Sequence, residues 1–404
     1  MPCLKLRHPS LPPSLATWVL TDHHGRPRYW PTIWVEMVHA RASSRTQQVH
    51  LGALNRLYAS AAAQLGTDRL DNVLAAGDLD ALEDVLAGFL GKLRNDGLIS
   101  GADRSGAWRT AVRFVGDILR LRGGSSAAEV PELEAGLRRL ERLYGQLSPT
   151  PPSTRTPLRA LPALVIEDLW DQFDPTSPRN PFRSASLRWR NLLIFLLLLH
   201  LGLRRGEVGL LPANAIKDEF DPVTGEDRYW INVEPSPDFD PRYEAPGLKT
   251  ETARRQLPVS HEILKVHDIY VRNYRAKGRH PFLITSQQTR PLSLRAFGYV
   301  FETITANLTS PARRALENRR LDSVSAHDLR HTAAVLRLHR YVEAGNDLPT
   351  AIEKLRVFFG WAHGSEMPRL YARAYFEPTL ADVWNDSFDR FVDTLRQVEG
   401  VGPS

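Results

Sequence analysis

His327-Asp328-Leu329-Arg330-His331 places two imidazoles and a guanidinium within little more than one helical turn. His327 and Arg330 are three apart and share a face, and His331 lies a turn beyond His327. Two chemistries compete for such a group. Histidines at i and i+4 beside an acid imitate the zinc-protease helix H-E-x-x-H. Here a permanently charged Arg330 within a turn of both imidazoles repels a divalent cation, the acid is Asp328 rather than Glu, and no third ligand is evident, so no metal is expected. An arginine beside a histidine suits phosphoryl transfer better. That reaction needs positive charge on the nonbridging oxygens and a group near neutral pKa to move protons. His331 also reads as a histidine satisfied at a helix start.

Three further segments extend the anion reading. Arg204 and Glu207, in Gly202-Leu203-Arg204-Arg205-Gly206-Glu207, are spaced to meet on one face after an apolar helix, though a surface basic turn has the same pattern. Gly247-Leu248-Lys249-Thr250 and Arg254 to Val259 read as a hairpin with basic residues at its tip. A lysine there is ordinarily solvated, but one delivered into a phosphate site could protonate a leaving oxygen. Phe359-Gly360-Trp361-Ala362-His363 leads to Tyr371, flanked by Arg369 and Arg373. A tyrosine hydroxyl, with an ordinary pKa near 10, becomes a nucleophile only in a strongly electropositive site. Taken alone, Tyr371 and Tyr375 read equally as packing residues.

These residues need a scaffold, and the chain is long enough to supply more than one. Its 404 residues exceed what one core usually organises. Hydrophobic content of 42% and charged content of 24% are those of a globular protein. A net charge of +6, with arginine in excess of lysine, raises the prospect of phosphate contacts without deciding it. The single Cys3 forms no intrachain disulfide, the first residues lack a signal-peptide core, and the longest apolar run, Leu192 to Leu199, is too short to cross a bilayer. A reducing cytosol with no membrane partner is the expectation.

Helical periodicity places Val49, Leu51, Leu54, Leu57, Tyr58 and Ala61 on one face. Val73 to Leu90 repeats the pattern. So does Ser105 to Leu121, where Arg109, Arg113 and Arg120 make a solvated face or a basic one suited to a phosphate backbone. A helix over about 127–147 runs into SPTPPSTRTP, which cannot continue it and marks a boundary. Beyond it, helices are predicted over 164–173, 186–201, 294–308, 326–340 and 349–358, with short strands over 229–234, 255–259 and 282–285. The apolar positions Trp384, Phe388, Phe391, Val392 and Leu395 predict a last helix over 379–398.

Taken in order, Arg204, Lys249, His327 with Arg330, Trp361 and Tyr371 resemble the layout of the tyrosine recombinase (phage integrase) family of site-specific recombinases, over about Leu161 to Phe376. The resemblance implies that Tyr371 attacks a scissile DNA phosphate, leaving a 3′-phosphotyrosyl link and a free 5′-hydroxyl. It implies that Arg204 and Arg330 clamp the nonbridging oxygens, Lys249 protonates the departing oxygen and His327 assists proton transfer at the nucleophile. Glu207 would be a supporting acid and His331 an orienting group. The commoner pattern has Leu-Gly-His with the tyrosine nine residues on; here Trp361 follows Gly360 and Tyr371 lies ten away. Trp361 can donate one hydrogen bond to a phosphate oxygen. His363 is its alternative, and Tyr375 is the rival nucleophile.

The fold class implied is an all-α core-binding domain, a SAM-like helical bundle, plus a mixed α+β, mostly helical catalytic domain with a small antiparallel sheet. The expected divisions are an N-terminal segment 1–43, a helical DNA-binding domain 44–125, a helix and proline-rich linker 126–160, and a catalytic domain 161–404. The resemblance further implies duplex DNA carrying specific sites as substrate, a homo-oligomer on it, a tetramer in synapsis, and accessory DNA-bending or directionality proteins. The reaction would be DNA integration or excision for a mobile element, with no cofactor, because the phosphotyrosyl bond conserves the phosphodiester linkage. Other expectations are a type IB topoisomerase or telomere resolvase and a recombinase-derived DNA-binding protein that no longer cuts.

Overall fold

The computed structural model describes residues 3–6, 18–39, 42, 44–100, 105–122, isolated positions between 135 and 142, 159–223, 225–242, 244–248 and 251–375. The helix expected over 127–147 falls mostly outside them, and Lys249, the proline-rich stretch 148–157 and the helix expected over 379–398 fall wholly outside. The chain divides into two compact units, Met1–Arg155 and Thr156–Ser404.

In the first unit a short antiparallel pair, β1 (Cys3–Lys5) and β2 (Trp18–Leu20), accompanies the helices α1 (Tyr29–Val38), α2 (Ser44–Leu65), α3 (Leu70–Ala76), α4 (Leu79–Ser100) and α5 (Ser105–Arg122). Leu51, Leu54, Leu57, Tyr58 and Ala61 of α2 are buried against Leu82, Phe89, Trp108 and Phe114. Val49, expected on that face, is exposed, because it lies about 200° around the helix from Leu51. The N-terminal tryptophans join this core. Trp18 and Trp34 are buried, and the Trp34 indole N–H donates to Asp117 of α5 at 2.9 Å.

The second unit is mostly helical. Its elements are α6 (Ala163–Phe173), α7 (Ala185–Leu199), α8 (Arg205–Leu210), β3 (Ile216–Asp221), β4 (Glu226–Val233), β5 (Arg255–Val259), α9 (His261–Ile269), α10 (Leu294–Ala306), α11 (Ser310–Asn318), α12 (Ala326–Glu343), α13 (Leu348–Phe359) and α14 (Met367–Tyr375). The strands form one antiparallel sheet in the order β3-β4-β5, with Ile231 opposite Leu257 and both turned into the core. The residues 282–285 make only isolated bridges, Phe282 with Pro212 and Thr285 with Pro291, rather than a strand of the sheet. Every residue of Leu192–Leu199 is buried, so α7 is the central helix around which the others pack. No helix among the described residues is long and apolar enough to cross a membrane.

Candidate active site

α12 begins at a reciprocal cap. The Ser325 hydroxyl accepts from Asp328 N–H, and the Asp328 carboxylate accepts from Ser325 N–H at 2.8 Å, so two backbone donors of the helix start are satisfied at once. That cap fixes the first turn and with it the directions of His327, Arg330 and His331. Arg330 is buried, and its two terminal nitrogens donate to the carbonyls of Gly202 and, at 2.7 Å, Phe359. Its guanidinium lies 4.8 Å over the Phe359 ring. Burial first, and then the neighbouring Arg204 charge, lower its pKa to about 9, which leaves it charged at neutral pH.

The two carbonyls that hold Arg330 come from glycine-dependent turns. Gly202 ends the approach to α8 at φ +57°, and Gly360 caps α13 at φ +60°; both are left-handed, where glycine escapes the Cβ penalty. A Cβ on Gly202 would sit 2.3 Å from the Phe359 ring. Gly202→Ala is therefore expected to cost about 2–4 kcal/mol, from left-handed strain plus displacement of an aromatic ring that cannot yield. Urea denaturation measures it; a loss under about 0.5 kcal/mol, the range of an ordinary surface change, would contradict the packing.

Arg204 caps α8 from outside, and Glu207, one turn on, is 2% exposed. The Glu207 carboxylate accepts from Arg204 N–H at 2.9 Å, from Arg204 Nη1 at 2.6 Å and from Arg255 Nη2 at 2.9 Å, with Arg330 Nη1 3.9 Å away. Burial works against its charge, but the Arg255 hydrogen bonds and the three positive charges outweigh that and hold its pKa below the ordinary value. Glu207 thus gathers three guanidiniums. Arg255, which starts the strand beside the expected hairpin tip, has its side chain buried, and its Nε donates to the Phe358 carbonyl at 2.8 Å. The tight hairpin of the sheet is β3–β4; the β4–β5 connection that contains Lys249 is long and ends in a short 3-10 turn at Glu251–Ala253.

Tyr371, on α14, is 2% exposed. Its ring stacks on Trp361 at 5.3 Å, and Trp361 stacks on Phe359 at 5.0 Å, which places the tyrosine two rings from the arginine clamp. Trp361 is thus seen as a packing surface of the site. His363 is exposed, and its carbonyl accepts from Arg356. The Tyr371 hydroxyl lies 2.6 Å from His331 Nδ1, and His331 Nε2 lies 3.0 Å from His327 Nε2. The imidazole touching the Tyr371 hydroxyl is therefore His331, with His327, to which the resemblance gives the proton transfer, one step further. A neutral imidazole carries one N–H, so the chain is consistent when Tyr371 donates to His331 Nδ1 and His331 Nε2–H donates to His327, or when every donor is reversed.

Burial first, then His327 and the arginines, lower the His331 pKa to about 3, and burial lowers that of His327 as well. Burial likewise raises the Tyr371 hydroxyl well above its ordinary value, with Arg330 acting the other way. A histidine neutral when folded but titrating near 6.5 when unfolded contributes full stability above pH 6.5 and loses it as pH falls toward 3. Unfolding free energy is expected to fall over that window. The dependence should shrink in His331→Gln, and an equal dependence in both proteins would show that His331 is not its source.

Among the described residues no group of three or more histidine, cysteine, aspartate or glutamate side chains could hold a metal ion. In the first unit Arg109, Arg113 and Arg120 are all exposed on α5, and Asp117 lies 3.5 Å from Arg113 and 3.4 Å from Arg120.

No family model and no curated protein matches the chain. It is similar to solved structures of recombinases and integrases. A XerH site-specific recombinase bound to its difH substrate in a pre-cleavage complex is 16% identical, over 76% of this chain and 85% of that one, with a TM-score of 0.37. A lambda integrase dimer bound to a COC′ core site is 15% identical over 85% and 76%, TM-score 0.42. An integrase from mycobacterium phage Brujita is 16% identical over 92% and 96%, TM-score 0.25. Likenesses this distant transfer no residue's role.

Proposed function

We propose that this chain is a tyrosine-type site-specific recombinase that cuts and rejoins duplex DNA through a 3′-phosphotyrosyl link at Tyr371. The observation that carries the reading is convergence: Arg204, Arg330, His327, His331 and Tyr371 come from two helices and the cap of a third, far apart in sequence, yet form one network of contacts through Glu207, Phe359 and Trp361. A packed tyrosine needs none of these partners. In the reaction the Tyr371 oxygen bonds to phosphorus as the bond to the 5′-oxygen breaks. The phenolic proton passes to His331 and on toward His327, and the departing oxygen takes a proton from Lys249. Arg330 has five donors and spends two on carbonyls, which leaves others for nonbridging oxygens beside Arg204. The linkage is conserved, so no cofactor is needed.

The first unit would serve as the core-binding domain and the proline-rich stretch as the linker, with Arg109, Arg113 and Arg120 meeting phosphates in competition with Asp117. Paired sites, a tetramer in synapsis, accessory proteins and a mobile-element context belong to the same reading. Burial of the Tyr371 hydroxyl favours a second reading, a recombinase-derived DNA-binding protein that no longer cuts. A nicked suicide duplex carrying the site decides between them. A denaturant-resistant protein–DNA adduct supports the enzyme, and binding without an adduct supports the silent protein. Rejoined products from paired sites separate a recombinase from a type IB topoisomerase or telomere resolvase.

A further inference from the structure

Arg159 and Leu161, near the start of the second unit, bind the helix that carries the histidines. Arg159 Nε donates to Asp328 Oδ1 at 2.5 Å and Arg159 Nη2 to Oδ2 at 3.3 Å, a two-pronged contact on a carboxylate that is wholly buried. Asp328 is the residue between His327 and Leu329, and the same carboxylate accepts from Ser325 in the cap that starts α12. Two residues after Arg159, Leu161 N–H donates to the Thr332 hydroxyl at 2.8 Å, and that hydroxyl donates to the Asp328 carbonyl at 2.9 Å. Ala160 and Leu161 are fully buried. At about 100° per residue, Asp328 and Thr332 lie side by side on α12, roughly a quarter turn from His327 and His331. The strap therefore grips the helix without covering its chemical face.

We infer that Arg159 is a positioning residue: through Asp328 it fixes the first turn of α12 so that His327 and His331 meet each other and Tyr371 in line. Neutral cap bonds alone would hold the backbone of that turn. A buried aspartate also needs a positive partner, and Arg159 is the guanidinium bonded to it. The assignment has an electrostatic corollary. Arg159 adds to the positive charge that disfavours protonation of both histidines; His327 otherwise faces Asp328, Arg330 and Arg204, and His331 faces His327, Arg330 and Tyr371.

The inference rests on the functional reading above, and its test separates the two. In the free full-length protein, histidine titrations followed by NMR should show the His327 pKa raised in Arg159→Ala and close to wild type in Arg159→Lys, which keeps the charge. With the suicide duplex, Arg159→Ala should bind DNA as the wild type does yet form adduct roughly tenfold more slowly, the scale of loss expected when reacting groups are slightly misplaced. Arg159→Lys, unable to bridge both carboxylate oxygens, should recover only part of that rate. A merely structural arginine would lower thermal stability and leave the adduct rate of the folded protein at the wild-type value. An adduct formed by Arg159→Ala at the wild-type rate, or unchanged histidine titrations, overturns the positioning role. Failure of the wild-type protein itself to form an adduct overturns the functional reading, and this role with it.

Discussion

Tyr371→Phe is expected to yield no denaturant-resistant adduct on a suicide duplex while DNA binding persists. The geometry makes this substitution unusually clean. Phenylalanine keeps the ring that stacks on Trp361, and through Trp361 and Phe359 it keeps the surface under Arg330. What is lost is one oxygen atom, and with it the proposed nucleophile and the 2.6 Å contact to His331. The stability cost is that of leaving one buried imidazole nitrogen without its partner, about 1–3 kcal/mol. Chemistry and folding are therefore read apart: adduct falls to background, whereas the thermal midpoint moves by a few degrees. Tyr375→Phe, one turn further along α14, should leave adduct formation intact. Adduct surviving in Tyr371→Phe and vanishing in Tyr375→Phe would transfer the nucleophile to Tyr375, and adduct surviving in both would remove the phosphotyrosyl mechanism from this helix.

The parts of this site legible in the sequence are those set by local periods. His327, Arg330 and His331 share a helical turn because 3.6 residues close one, and Arg204 meets Glu207 because a helix start brings N-cap and N3 together. Contacts without a period were not legible. Arg255 reaches Glu207 across 48 residues and Arg159 reaches Asp328 across 169, and nothing in Arg254-Arg255 distinguishes the buried arginine from its neighbour. The contact between His331 and Tyr371 has the same origin, since only the approach of α14 decides which imidazole meets the tyrosine. Among the strands, β5 and the last residues of β4 alternate more and less buried positions and are legible, whereas β3, Ile-Lys-Asp-Glu-Phe-Asp, offers no alternation because it is an exposed edge. The run Phe282 to Thr285 reads as a strand from its apolar residues, but among the described residues it makes only isolated bridges.

The second large effect concerns Glu207, a carboxylate that touches no substrate in the proposed reaction yet holds its clamp together. Glu207→Gln preserves shape and removes one negative charge from among three guanidiniums. Arg255 and Arg330, whose side chains are 6% and 5% exposed, then become buried positive charges that face each other with no counter-ion between them. The glutamine amide worsens the arrangement, since its N–H2 must point at an arginine N–H where a carboxylate oxygen had accepted. Breaking a buried pair by removing one partner typically costs 3–5 kcal/mol, a large share of an ordinary folding free energy of about 5–15 kcal/mol. A loss of about 3–5 kcal/mol at pH 7, measured by urea denaturation, is the expected result. The sign with pH follows from the lowered pKa of Glu207: its contribution is complete above the ordinary value of 4.5 and disappears as pH falls through the folded value below that. The gap between wild type and Glu207→Gln should accordingly be widest at neutral pH and close in acid. Glu207→Asp keeps the charge but withdraws it by one methylene, so it should recover part of the stability while slowing adduct formation, because Arg204 and Arg330 would be drawn toward a shortened carboxylate and away from the phosphate. Equal stability of Glu207→Gln and wild type at pH 7 would mean that the three guanidiniums are neutralised by something other than this carboxylate, and the clamp would have to be rebuilt on another acid.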